Sequence, residues 1–146
     1  MPDFRMSASA RQDHLVEEYG LIDDPRERFQ IIVETAGRGS TPLLESEKTE
    51  QNLVPGCVSK VWLALRAKGD GTVNVAIESD SPALAGITAL FCRIYSEASP
   101  TEILATEPNF IERLGIDRFL TPTRARGLRR LRQMLVERVS ELAEAG

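Results

Sequence analysis

The sequence is short of the residues that hold metals. It has one histidine, His14, and two cysteines, Cys57 and Cys92, far apart along the chain. No CxxC or HxxxH spacing is available for zinc. A bound iron–sulfur cluster needs about three thiolates and a further ligand, which this chain cannot supply, so no metal site is expected. Two thiols are also too few for a disulfide framework and fit a reducing compartment. No apolar run is long enough to span a bilayer. The stretch from Met1 to Ala10 lacks the basic start and apolar core of a secretory signal. A cytoplasmic protein without membrane contact is the expectation.

Aromatic residues make up only 5% of the chain, yet 42% of it is apolar. That composition is neither disordered nor fibrous. At 146 residues the chain has the length of one domain, 1–146, with a core that needs no staples. The first ten residues, small and polar, are expected to fray. The formal charge of −4 is unevenly spread: residues 1–56 carry −5, residues 57–120 carry −2 and residues 121–146 carry +3. Such a dipole can steer an encounter with a partner, or it can be no more than solvated helix faces. Arg124, Arg126, Arg129, Arg130 and Arg132 would suit a phosphate backbone, but the acidic whole and the missing aromatic platform argue against nucleic acid.

The elements follow from period and punctuation. Gln12 to Tyr19 can form a short helix carrying His14 as a surface residue. Asp24-Pro25 with Glu27 is a helix start. Apolar spacing through Phe29, Ile32, Val33 and Ala36 continues that helix to Gly37 or Gly39. Ser40 to Gln51 reads as a loop, with Leu53-Val54 as a short strand. Val58 to Lys68 and Thr72 to Ser79 flank Gly69-Asp70-Gly71, a hairpin signal. Val73, Val75 and Ile77 alternate as in a sheet covered on one face. Ser81-Pro82 opens a helix with apolar groups on more than one side, hence a central one. Cys92 belongs to its small-residue stripe as a core residue, which opposes a peroxide-sensing pair with Cys57. Gly86 on that helix is read as allowing close approach to the sheet. Ser99-Pro100-Thr101-Glu102 is a capping box, and a short helix from Pro108 to Leu114 stops at Gly115. Thr121-Pro122 opens a long helix to about Ala143, with Leu128, Leu131, Leu135, Val139 and Leu142 on its packing face. The fold class is α+β: a small antiparallel sheet with helices packed on it.

Chemistry centres on the stretch from Asn52 to Leu63. Pro55 fixes φ and Gly56 takes backbone angles denied to other residues, so Cys57 sits where a loop enters a strand. A reactive thiol and a buried structural cysteine both fit that place. Gly56-Cys57-x-Ser59-x-Val61-Trp62 resembles the cysteine motif of the SufE/CsdE family, sulfur-acceptor partners of cysteine desulfurases in iron–sulfur cluster assembly. Ser79-Asp80-Ser81 and Leu120-Thr121-Pro122-Thr123-Arg124-x-x-Gly127-Leu128 resemble two further family segments, in the same order. The similarity runs from about Asp24 into the last helix. Val58 and Lys60 depart from it, where family members carry Gln, and so does Thr123, where Ser is usual.

The resemblance implies a SufE/IscU-like fold and a carrier rather than an enzyme, with no cofactor of its own. Cys57 would be the nucleophile that takes persulfide sulfur from a pyridoxal-phosphate-dependent cysteine desulfurase (SufS- or CsdA-like), stimulates that desulfurase and passes sulfur toward a cluster scaffold. The alternative is a regulator that docks on the desulfurase without carrying sulfur. The resemblance also implies a cysteine loop tucked against apolar surface until the donor docks, with Gly56 compatible with a hinge. It places Arg124 beside that loop, either favouring the thiolate and persulfide or anchoring the last helix in a salt bridge. Asp80 would cap the long helix or tie the loop in its closed state, and Ser59 would hydrogen-bond within the loop.

Overall fold

The computed structural model describes residues 6–36 and 41–145. Gly37 and Gly39, the expected ends of the second helix, lie outside the described residues. Helix α1 (Ala8–Gly20) begins four residues earlier than the period suggests, with Ser7 as N-cap. Ala8 and Arg11, inside or beside the stretch expected to fray, are buried. Arg11 explains the early start. Its guanidinium donates to the carbonyls of Ile94 (3.1 Å), Ser96 and Glu97 (3.1 Å), satisfying acceptors that the end of the central helix leaves open.

Helix α2 (Pro25–Thr35) starts as its sequence requires: the Asp24 side chain accepts from the Arg26 amide. Two short 3₁₀ turns, Glu45–Glu47 and Glu50–Asn52, then occupy what reads as loop. Strands β1 (Val61–Ala67) and β2 (Val73–Ser79) pair antiparallel, with Leu63 opposite Ile77 and Leu65 opposite Val75. The first strand therefore begins at Val61 and not Val58, leaving Cys57 to Lys60 outside the ladder. Leu53 makes a single bridge to Trp62, and the Val54 amide donates to Val61 O at 2.8 Å. That pairing is a bridge rather than a strand. The sheet is also covered on both faces. Leu43, Ala64 and Ala76 form a small second cluster with Trp62, held by the Arg66–Glu47 ion pair at 2.6 Å.

Helix α3 (Pro82–Tyr95), capped by Ser81, is the centre of the molecule, with ten of its residues buried. It contacts α1, α2 and β2. Gly86 is the point of closest approach, to α2 and not to the sheet: a Cβ there would fall 2.7 Å from Ile32 O and 2.9 Å from Val33 Cα. Helices α4 (Pro100–Ala105) and α5 (Phe110–Arg113) follow, the first with the Ser99–Glu102 capping box formed. Gly115, at φ 70°, ends α5. The chain closes with α6 (Pro122–Ala145), a 24-residue helix. Leu128, Leu131, Leu135 and Val139 on it are buried. The Arg124 amide donates to the Thr121 hydroxyl at 3.2 Å, so Thr121 caps this helix. The architecture is α+β, a two-stranded antiparallel sheet under a layer of helices. Among the described residues no helix is long and apolar enough to cross a membrane, and no cluster of three or more His, Cys, Asp or Glu could hold a metal ion.

Two measurements check this packing. Gly86→Ala drives a methyl into α2 backbone and should cost about 1–3 kcal/mol, read as a lower urea midpoint. Burial raises the Cys92 thiol from near 9 to about 12. A raised folded value stabilises the protein below the unfolded value and is lost as pH climbs toward the folded one. Stability should therefore fall between about pH 9 and 12 by up to about 1.4 kcal/mol per unit for this thiol. Cys92→Ala should flatten that slope in alkaline denaturation curves.

Candidate functional site

Cys57 owes its place to three local features. The chain leaves the Leu53 bridge, turns at Pro55-Gly56 and reaches β1 only at Val61. Proline then glycine at the turn centre, with Gly56 at φ 77°, is the pattern of a type II turn. The loop is pinned at its far end by Asp80. The Lys60 amide donates to Asp80 Oδ1 at 3.0 Å, and the Asp80 amide donates to Lys60 O at 3.2 Å. Asp80 thus ties the loop and caps no helix, since Ser81 and Thr121 cap α3 and α6.

Between those two anchors the thiol turns inward. Cys57 is half-buried and packs on the main core. It meets α6 at Gly127, where a Cβ would fall 3.0 Å from Cys57 Sγ. Glycine inside a helix costs about 1 kcal/mol relative to alanine, and here its missing side chain is the space the sulfur occupies. Cys57, Val58, Ser59, Leu84, Thr121, Thr123, Arg124 and Gly127 line one open cleft of about 360 Å³. Val58, next to the thiol, is 86% exposed. The side chain beside the cysteine therefore faces solvent, while Cys57 itself is half-covered.

The electrostatics of the thiol are a contest. Partial burial pushes its pKa above the ordinary cysteine value, and the Arg130 cation pulls it part of the way back. Arg130 lies over the loop: a Cβ on Gly56 would sit 2.8 Å from its Nε and 2.9 Å from its Cζ. Arg124 lines the same cleft as Cys57 and makes no salt bridge among the described residues. The ammonium of Lys60 is 5.9 Å from the Trp62 ring centroid, as is that of Lys48. Ser59 lines the cleft without a hydrogen bond to any described residue. Cys92 is buried in α3.

The structure thus brings Cys57, Ser59 and Arg124 to one cleft; Gly56 lies beside it under Arg130, and Asp80 holds the base of the loop. Sequence reasoning missed Gly127 as the seat of the sulfur and Arg130 as the cation that acts on it. The signal was present as spacing. Arg124, Gly127 and Arg130 recur at threes and share one helix ridge, which points to a common neighbour without saying which.

Comparison with known proteins places these features in a family. Residues 13–139 match the SufE family, described as a domain associated with Fe–S metabolism. An uncharacterized SufE-like protein of Synechocystis sp. is 33% identical over 121 residues, which are 83% of this chain and 75% of that protein. The solution structure of a hypothetical protein from Thermus thermophilus superposes with a TM-score of 0.73 at 21% identity. That match covers 90% of this chain and 94% of the other, and it shows the same fold. With the family match running from α1 through the sheet and into α6, this chain belongs to the SufE family of Fe–S metabolism.

Proposed function

We propose that this protein is a persulfide carrier: it takes sulfur from a pyridoxal-phosphate-dependent cysteine desulfurase onto Cys57, stimulates that enzyme and hands the sulfur on for cluster assembly in the cytoplasm. The observation that carries the reading is the placement of Cys57. A thiol that is half-buried against Gly127, on a loop held only at its ends, can be sheltered and still reach a partner. In the transfer, the Cys57 thiolate attacks the outer sulfur of the donor's persulfide. A new S–S bond forms at Cys57, the donor's S–S bond breaks, and its electron pair leaves on the donor cysteine as thiolate. The sulfane sulfur moves with no net oxidation, so the step needs no metal or organic cofactor on this chain.

Thiolate fraction and access control such an exchange. At rest both are low, because burial holds the proton on Cys57. Swinging the loop outward removes that desolvation and exposes the sulfur in one motion, so docking and activation become the same event. The exposed Val58 would lead the loop toward the donor, and Asp80 would keep its base in register. The raised pKa also favours a second reading, a regulator that docks through this loop and takes no sulfur.

Intact mass after mixing reduced protein, desulfurase and free cysteine separates the two. The carrier gains about one sulfur, mapped to Cys57 and removed by reductant, and Cys57→Ser abolishes the gain while Cys92→Ala keeps it. Undiminished stimulation by Cys57→Ser would establish the regulator instead. Gly127→Ala fills the sulfur's seat and should push the loop outward. Its Cys57 should react with iodoacetamide at pH 8 several-fold faster than in the parent, while α6, relieved of a glycine, keeps its helicity by circular dichroism.

A further inference from the structure

The cations of this protein are mostly spoken for. Lys48 pairs with Glu45 and Glu78, Arg66 with Glu47, Lys68 with Glu97, Arg93 with Glu18 and Arg113 with Asp13. Arg11, Arg28 and Arg132 donate to backbone carbonyls. Arg118, Arg124, Arg126, Arg129 and Arg130 have no ion pair among the described residues, and of these five it is Arg130 that lies against the residue before the thiol. Among the described residues it has no acidic partner and no side-chain hydrogen bond, although Glu137 and Gln133 line the same groove with it. Its guanidinium lies instead against the backbone of Gly56, the residue before the thiol, where a positive φ and the absent Cβ give it room. An unpaired arginine lying along the thiol loop is placed for an anion that the resting protein lacks.

We propose that Arg130 is a positioning residue for sulfur transfer: through its seat on Gly56 it holds the Cys57 loop so that the sulfur anion, thiolate before transfer and perthiolate after it, has a fixed counter-charge. The inference rests on the carrier reading for the identity of that anion. The thiol's surroundings leave Arg130 little competition. From α3 only apolar Leu84 faces the cleft. Asp80, on the turn before α3, is engaged by the Lys60 amide, and Lys60 itself lies over Trp62. On α6, Arg124 lines the open mouth of the cleft, while Arg138 donates to Asn52 and Gln51 one groove away. The neutral thiol needs no counter-ion and can rest against Gly127. Once ionised, the sulfur gains an attraction that burial alone would deny it, which offsets part of the cost of keeping an anion in a sheltered place.

The test is the pH profile of Cys57 alkylation by iodoacetamide, an uncharged probe, in the full chain carrying Cys92→Ala. Arg130→Met keeps the length of the side chain and removes its charge. It should shift the profile to higher pH and slow alkylation at pH 8 by about two- to fivefold, the range of an exposed charge pair. Arg130→Lys should restore most of the rate, and Arg124→Met should shift the profile less than Arg130→Met. An unchanged or faster Arg130→Met profile would overturn the proposal, as would a lysine variant no better than methionine. Arg130 is exposed, so its methionine variant should fold. The alkylation profile needs no desulfurase. A failure here with normal sulfur uptake by mass would remove Arg130 alone, whereas absent sulfur uptake with the shift intact would remove the carrier reading.

Discussion

A two-stranded hairpin cannot stand by itself in water, and everything in this fold answers to that constraint. The missing strands are replaced by α3, which is apolar nearly all round and lies between the hairpin and helices α1 and α2. Because α3 is buried on several faces, its ends must be closed by other parts of the chain. Ser81 closes the first end, and Arg11 gathers the carbonyls at the second from a helix far back in the sequence. Phe91, Tyr95 and Phe110 stack around the same axis, the last edge-to-face at 5.4 Å from Phe91. The rigid part of the molecule is thus the layer beneath the site, and the thiol loop is what that layer leaves free.

The loop occupies the seam between β1 and α6, and its properties follow from being held at two points. A bridge and a turn fix one end and Asp80 fixes the other, while the residues between them make no ladder. Sulfur falls into that gap because Gly127 leaves a hole in the helix face. The resulting thiol is partly desolvated, which raises its pKa, with Arg130 over the loop and Arg124 on the same cleft. A thiol in that state is quiet, and what would make it reactive is movement into water or a stronger share of the nearby positive charge. Both routes run through α6.

Much of the fold was legible because its signals are local. Asp24, Ser81, Ser99 and Thr121 each cap the helix that the sequence says they should, since a cap needs only the next three residues. The hairpin follows from alternation around Gly69-Asp70-Gly71, whose turn is fastened by the Thr72 amide on Asp70 at 3.0 Å. What escaped was long-range. The burial of Ala8 and Arg11 depends on the carbonyls beyond α3, and the role of Gly86 depends on which element lies across from it. A glycine in a buried helix announces a close approach but not its partner.

For the site, the sequence alone determined the candidate thiol and the family: one cysteine at a Pro-Gly turn before a strand, and three segments that resemble SufE motifs in order. Those are properties of residue type and short spacing, so no fold is needed to read them. Tertiary structure decided where the sulfur rests and which charge acts on it. Arg124 carries the motif, yet Arg130, further along the same ridge, lies over the loop, because the loop crosses α6 at Gly127 and folds back over Gly56. Only the crossing point of two segments far apart in the chain could distinguish those two arginines, and a crossing point is a property of packing.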